Sequence, residues 1–196
     1  TNRGDPQTAL KTAIALLPHD PRLAQAQVTD SLEVYPDTPK AKRILATAYR
    51  QQAMPQKGLD VLTPLHAEYR DSPDFLHEMA QCLGAVGRGD DAINTLRRAV
   101  SLDPKHAACW QSLGHQLKVA GDDEGSLQAF ERHFELSTRH PELVEAVKLL
   151  RKGNLGKAES IVRDLLKKYP LDVSAIRVLA DIGFQMGQLK DASLLL

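Results

Sequence analysis

The stretch GNLGKAES, residues 153–160, has two glycines, a lysine and a serine, the ingredients of a loop that cradles phosphate. A loop of the G-x-x-x-x-G-K-[ST] kind needs its first glycine at position 151, which is Arg151, and a hydroxyl after Lys157, where the chain has Ala158. It must also follow a β-strand, whereas Leu143, Val144, Val147 and Leu150 recur upstream at helical spacing. Three relatives of the stretch occur in the same chain: GRGDDAI from Gly87, GDDEGSL from Gly121 and GQLKDAS from Gly187. Each opens on glycine and places a small residue five positions on, at Ala92, Ser126, Ala158 and Ala192. The glycines are 34, 32 and 34 residues apart, and a fixed period of this size marks an array of small structural repeats. GNLGKAES is therefore expected to be a turn between two helices.

The frame extends in both directions. Counted from Pro73, Leu76, Met79, Ala80 and Leu83 fall at positions 4, 7, 8 and 11, with Gly87 at 15, Ala92 at 20, Leu96 at 24, Ala99 at 27 and Pro104 at 32. Counted from Ala107, Trp110, Leu113, Gly114, Leu117, Gly121, Ser126 and Phe130 take the matching places. Glycine at position 15 closes the first helix because it enters the left-handed conformation without penalty. The small residue at position 20 lets the second helix lie close to the first. Pro36, Pro104 and Pro170 stop the second helix, since proline has no N–H to continue it. Leu155, Ala158, Ile161, Val162, Leu165, Leu166 and Tyr169 form one apolar stripe at the helical period. One helix pair cannot bury such a stripe alone, so neighbouring pairs must stack. The unit from Pro39 is altered, with Ala53 where glycine is usual and Pro55 opening the next helix. In the first unit, helix parity makes Gly4 to Ala9 part of a first helix and Pro21 to Val34 the second.

This pattern resembles the tetratricopeptide repeat, whose W-x-x-L-G signature stands here as Trp110, Leu113 and Gly114. The resemblance covers nearly the whole chain. It implies an all-α, right-handed α-solenoid of antiparallel helix pairs, A then B. The expected organisation is a single array over residues 1–196, with units at about 5–38, 39–72, 73–106, 107–138, 139–172 and 173–196, the last truncated.

The resemblance also implies that function lies on an inner surface lined by the A helices, near positions 2, 5, 6, 9, 12 and 13 of each frame. That places Lys40, Arg43, Thr47 and Arg50 in the groove, followed by Asp74, His77, Glu78 and Gln81, then Gln111, His115 and Lys118. Further on come Leu143, Val147 and Leu150, then Arg177, Asp181 and Phe184. The groove so read is basic at its start, mixed in the middle and apolar beyond. The expected ligand is a peptide or partner protein, its acidic part near Arg43 and Arg50 and an apolar part near Val147. Two modes known in this family do not fit. The lysine and asparagine clamp for chaperone tails is replaced by Arg43, Thr47, Glu78 and Gln81. The asparagine ladder of certain glycosyltransferases is replaced by Leu10, Ile44, Glu78, Ser112, Val144 and Val178.

Composition narrows the rest. Lysine plus arginine and aspartate plus glutamate number 25 each, which argues against an electrostatically driven nucleic-acid partner. No apolar run reaches the length of a membrane span, and no signal peptide is visible. Cys82 and Cys109 are expected to be buried free thiols, and Trp110 a core residue. The tripeptide Arg-Gly-Asp occurs at Arg3 and Arg88, the second within an ordinary repeat turn. The histidines offer no H-E-x-x-H and no metal spacing, and no nucleophile has an evident base. No cofactor, metal or catalytic residue is expected. The reading is a non-catalytic protein-binding scaffold. The alternative follows from a loose similarity to arrays that precede bacterial sulfotransferases or, less often, glycosyltransferases: a substrate-presenting region of a larger chain. LKDASLLL, at the end, has an apolar face and no polar cap, so a continuing chain or an end-to-end homodimer is expected. The compartment stays open, with a leaning to the cytoplasm.

Overall fold

The computed structural model describes residues 6–187, which are helical with no strand among them. The chain divides into two compact units, Thr1–His133 and Phe134–Leu196. The first holds α1 (Pro6–Leu16), α2 (Pro21–Val34), α3 (Pro39–Gln51), α4 (Pro55–Leu62), α5 (His66–Tyr69), α6 (Pro73–Ala85), α7 (Gly89–Leu102), α8 (Ala107–Val119) and most of α9 (Asp123–Ser137). The second holds the end of α9, then α10 (Pro141–Arg151), α11 (Leu155–Lys168) and α12 (Val173–Gln185). Helices pack as consecutive pairs, α1 on α2, α3 on α4, α6 on α7 and α10 on α11, and each pair meets the first helix of the next within its unit. The first Arg-Gly-Asp, Ala192 and the terminal LKDASLLL lie outside the described residues.

The turns follow the chemistry of position 15. Gly87, Gly121, Gly153 and Gly187 have φ of 83°, 82°, 73° and 76°. Gly153 therefore closes α10, and GNLGKAES is a helix turn. Ala53 takes the same left-handed conformation at φ 58°, the one described non-glycine residue to do so. Ala53→Gly is expected to raise stability by about 0.5–1 kcal/mol. It relieves about 1–2 kcal/mol of left-handed strain and adds about 0.4–1 kcal/mol of chain entropy to the unfolded state. Urea unfolding checks this, and an unchanged or lower midpoint would refute it.

The small position 20 is filled by Gly58, Ala92, Ser126 and Ala158, all buried. Ser126 satisfies its hydroxyl by donating to the Gly114 carbonyl at 2.9 Å, which ties α9 to α8. One B helix departs from the frame. Pro64 cannot donate a backbone hydrogen bond, so α4 stops at Leu62 and a 3₁₀ turn, Thr63–Leu65, leads into α5.

The core of the first unit is built around Leu62, Leu76 and Leu96, with Val28 and Ile44 in a second cluster. Trp110 packs half-buried against it and donates from Nε1 to the Pro104 carbonyl at 3.0 Å. Cys82 and Cys109 are buried free thiols, and burial pushes each up to about 12. The second unit is built around Leu143, Val162 and Ile182.

The register of α10 corrects the sequence reading. The helix starts at Pro141, two residues after the start of the 139–172 frame. Its buried residues Leu143, Ala146 and Leu150 are the third, sixth and tenth of the helix, as are Ala41, Ile44 and Ala48 in α3 and Ala175, Val178 and Ile182 in α12. Leu143 and Leu150 are thus core, and Val147 packs half-buried against the same core. The apolar stretch expected to face a ligand faces the interior. Glu142 and Glu145 stand exposed on α10.

Candidate functional site

In the first unit, the A helices α3, α6 and α8 bring most of the expected groove residues onto one polar strip. Arg43 on α3 pairs with Asp74 on α6, Nη1 to Oδ2, at 2.9 Å. About two helical turns further along α3, Arg50 Nε donates to Glu78 Oε1 at 2.9 Å and Nη2 reaches Oε2 at 3.5 Å. From α6, His77 Nε2 and Gln81 Nε2 converge on the Ser112 hydroxyl of α8, at 2.9 and 2.8 Å. Side chains of one A helix therefore bond to the equivalent face of the next.

These pairs change the electrostatics foreseen for the groove. Arg43 and Arg50 were expected to receive an acidic ligand, yet each is already neutralised by a carboxylate of the next A helix. Glu78, whose side chain is only 9% exposed, is held by Arg50 and does not face a ligand as a free charge. The Arg43 guanidinium and the His106 ring hold the Asp74 carboxyl below the usual carboxylate range. Its contribution to stability is present above its unfolded value and is lost as pH falls through the lower folded one.

His106 escaped the sequence reading because it is the last residue of its frame, outside the A-helix positions. Its Nε2 meets Asp74 Oδ1 at 3.1 Å, and its Nδ1 accepts from the Cys109 N–H at 3.2 Å, capping α8. Asp–turn caps elsewhere carry a visible signal, but histidine is not among the usual capping residues. Ser112 was legible only as a missing rung of an asparagine ladder.

Ser112 next to His77 invites comparison with a nucleophile and its base. Gln81 donates to the Ser112 hydroxyl and also lies 3.3 Å from His77 Nε2, and the imidazole tautomer sets which of Ser112 and His77 donates to the other. Burial, first, and the neighbouring His106, second, lower His77 to about 4, which makes it a weak base near neutrality. Asp74, which would have to orient the imidazole, bonds to Arg43 and His106. These residues cross-link helices and do not form a triad.

The remaining candidates are more open. Lys40 and Gln111 are exposed, and Thr47 donates to the Arg43 carbonyl within its own helix. His115 stands exposed with its ring edge-on to Phe130 at 4.9 Å. Lys118 pairs with Asp123 at the start of α9. In the second unit Arg177, Asp181 and Phe184 lie exposed on α12. No group of His, Cys, Asp or Glu able to hold a metal ion occurs among the described residues, and none of their helices is long and apolar enough to cross a membrane.

Stacked helix pairs, glycine-closed turns and a polar A-helix strip define a helical-repeat protein. No protein-family model matches the sequence, and no curated protein is similar to it. Solved structures do match. PilF of Pseudomonas aeruginosa is similar over 97% of this chain and 88% of its own, with a TM-score of 0.69 at 15% identity. A thermophilic tetratricopeptide-repeat protein of Thermus thermophilus matches over 91% and 99%, with a TM-score of 0.65 at 17% identity. The Cut9–Hcn1 hetero-tetramer of the APC/C contains a chain that matches over 88% of this one and 33% of its own, with a TM-score of 0.52 at 15% identity. The fold is that of the tetratricopeptide repeats, as the frame anticipates.

Proposed function

We propose that this chain is a protein-interaction scaffold that takes an extended peptide along the A-helix strip of its first unit. The carrying observation is that Arg43–Asp74, Arg50–Glu78 and His77–Ser112 link α3, α6 and α8 into one continuous polar surface. Beside it Gln111 and His115 remain exposed. With its arginines neutralised, this surface favours recognition by hydrogen bonds over recognition by charge. The arginines still carry N–H groups beyond those their carboxylates use. Such a strip suits backbone carbonyls and amide side chains better than an acidic run. The similarity of a chain in the Cut9–Hcn1 assembly is in keeping with a partner-binding role.

A peptide selected from a random display library against the whole chain tests the reading. Gln111→Ala with His115→Ala is expected to weaken the selected peptide at least about tenfold, or about 1.4 kcal/mol. Unchanged affinity across this pair and an Arg43→Glu/Arg50→Glu variant that remains helical would refute it.

A further inference from the structure

The second unit has a cleft of about 550 Å³ where α11 ends and α12 begins, lined by Arg139, His140, Lys168, Tyr169, Pro170, Leu171 and Asp172. It is built from the turns that precede α10 and α12. Its floor is organised: the His140 ring lies against Tyr169 at 4.5 Å between centroids. His140 Nε2 also meets Asp172 Oδ2 at 3.4 Å, and Asp172 caps α12 by accepting from the Ala175 N–H at 2.8 Å.

The apolar content of this turn is out of place. Leu171 is 88% exposed and Val173 68% exposed, with Tyr169 half exposed beside them. The repeat supplies its own comparison. Position 33 of the frame is Asp37, Asp71 and Lys105 in the other units that have it, and Leu171 here. Charge is the ordinary choice for an exposed turn. The half-exposed Tyr169 beside Arg139 has the composition of an interaction anchor, and Leu171, at a position its sister turns keep charged, adds apolar surface to it.

Basic side chains predominate in the lining itself, although Arg139 also borders a neighbouring depression that holds Glu145 and the Lys148-paired Glu135. Arg139 and Lys168 flank the cleft, and the single carboxylate among the lining residues, Asp172, is engaged by His140 and by the α12 cap. We infer that the cleft formed by Tyr169, Leu171, Arg139 and Lys168 is a second docking site, for an acidic peptide segment that carries a large apolar side chain. The apolar side chain of the peptide packs on Leu171 and Tyr169, and its carboxylates meet Arg139 and Lys168. A membrane surface fits less well. Binding to anionic lipid takes clusters of about 4–8 basic residues, and here Lys167 is already paired with Asp164 at 2.8 Å.

The probe is a short fluorescein-labelled peptide of aspartate and glutamate around a central phenylalanine–leucine pair, titrated into the whole chain by anisotropy and mapped by amide NMR. Binding is expected on the order of micromolar, with shifts centred on residues 139–140 and 168–173. Leu171→Asp restores the charge of the sister turns at a fully accessible site and is expected to weaken binding at least about tenfold, as is Arg139→Glu/Lys168→Glu. A lysine-flanked version of the peptide should not bind. The inference is overturned if the acidic peptide fails to saturate, or if the variants bind as tightly. Binding to phosphatidylserine vesicles but not to the peptide overturns it too. Shifts confined to α3, α6 and α8 also overturn it, while leaving the A-helix reading intact. Loss of binding at the cleft alone leaves that reading equally untouched.

Discussion

Arg50→Ala is expected to lower the stability of the first unit by about 2–4 kcal/mol, while Glu78→Gln costs roughly half as much. The asymmetry follows from burial. The Glu78 side chain is 9% exposed and that of Arg50 26%. Without the guanidinium, the carboxylate stays in the helix interface with only the Cys82 thiol beside it, at 3.9 Å. Without the carboxylate charge, the arginine can still reach water along its long stem. A double variant, Arg50→Met with Glu78→Leu, is expected to recover most of the loss, since apolar replacements remove both desolvation costs. Trp110 is the sole tryptophan and belongs to the first unit, so its fluorescence during urea unfolding reports that unit directly. Equal losses in the two single variants would show that Glu78 is not held by Arg50 in the way described.

What the sequence revealed depended on how local the requirement was. Gly87, Gly121 and Gly153 mark turns because a left-handed residue is needed at one position, whatever lies around it. Ala92 and Ala158 mark close helix approaches for the same reason: a single side chain has to be small. Pro21, Pro39 and Pro73 mark helix starts that the structure places at those residues. Ala53 shows the limit of the rule, since the neighbouring turns and pairings hold it left-handed without glycine. Pro64 is as local a signal, and it ends α4 at Leu62.

The sequence offered the candidate site as a set of positions and held no sign of its electrostatics. Frame counting put Arg43, Arg50, His77, Gln81 and Gln111 on one face, and the first four of these bond to side chains of the next A helix. Whether Arg43 meets a ligand or Asp74 depends on the distance between two helices, which no single-residue pattern encodes. In α10 the counting failed because the helix begins at Pro141, and a shift of two residues turns an outward position into a core one. His106 was invisible because its role joins a helix-capping residue at the end of one frame to a side chain on another helix.

Gly58→Val is expected to destabilise the first unit by about 3 kcal/mol, and Gly58→Ala by about 1 kcal/mol, although both replace a helical glycine with a residue of better helix propensity. A Cβ at Gly58 would sit 2.8 Å from the Cys82 Sγ and 3.2 Å from the Ala46 carbonyl oxygen. Alanine gains about 1 kcal/mol of propensity, and overpacking of a filled core costs about 1–3 kcal/mol, so the clash wins narrowly. Valine adds two methyl groups to the same space and loses clearly. Gly156 provides the control. It lies in the first turn of α11 with nothing within 4 Å of an added Cβ, so Gly156→Ala is expected to stabilise by about 0.5 kcal/mol. Circular dichroism during urea unfolding compares the two sites. If Gly58→Ala stabilised as much as Gly156→Ala, the close approach of α4 to α3 and α6 would be wrong. The contact partner can be identified in the same experiment. Cys82→Ala removes the sulfur that the new Cβ would strike, so Gly58→Ala should be less costly in that background than in the native chain. Simple additivity would assign the strain to the Ala46 backbone, which a side-chain change cannot relieve.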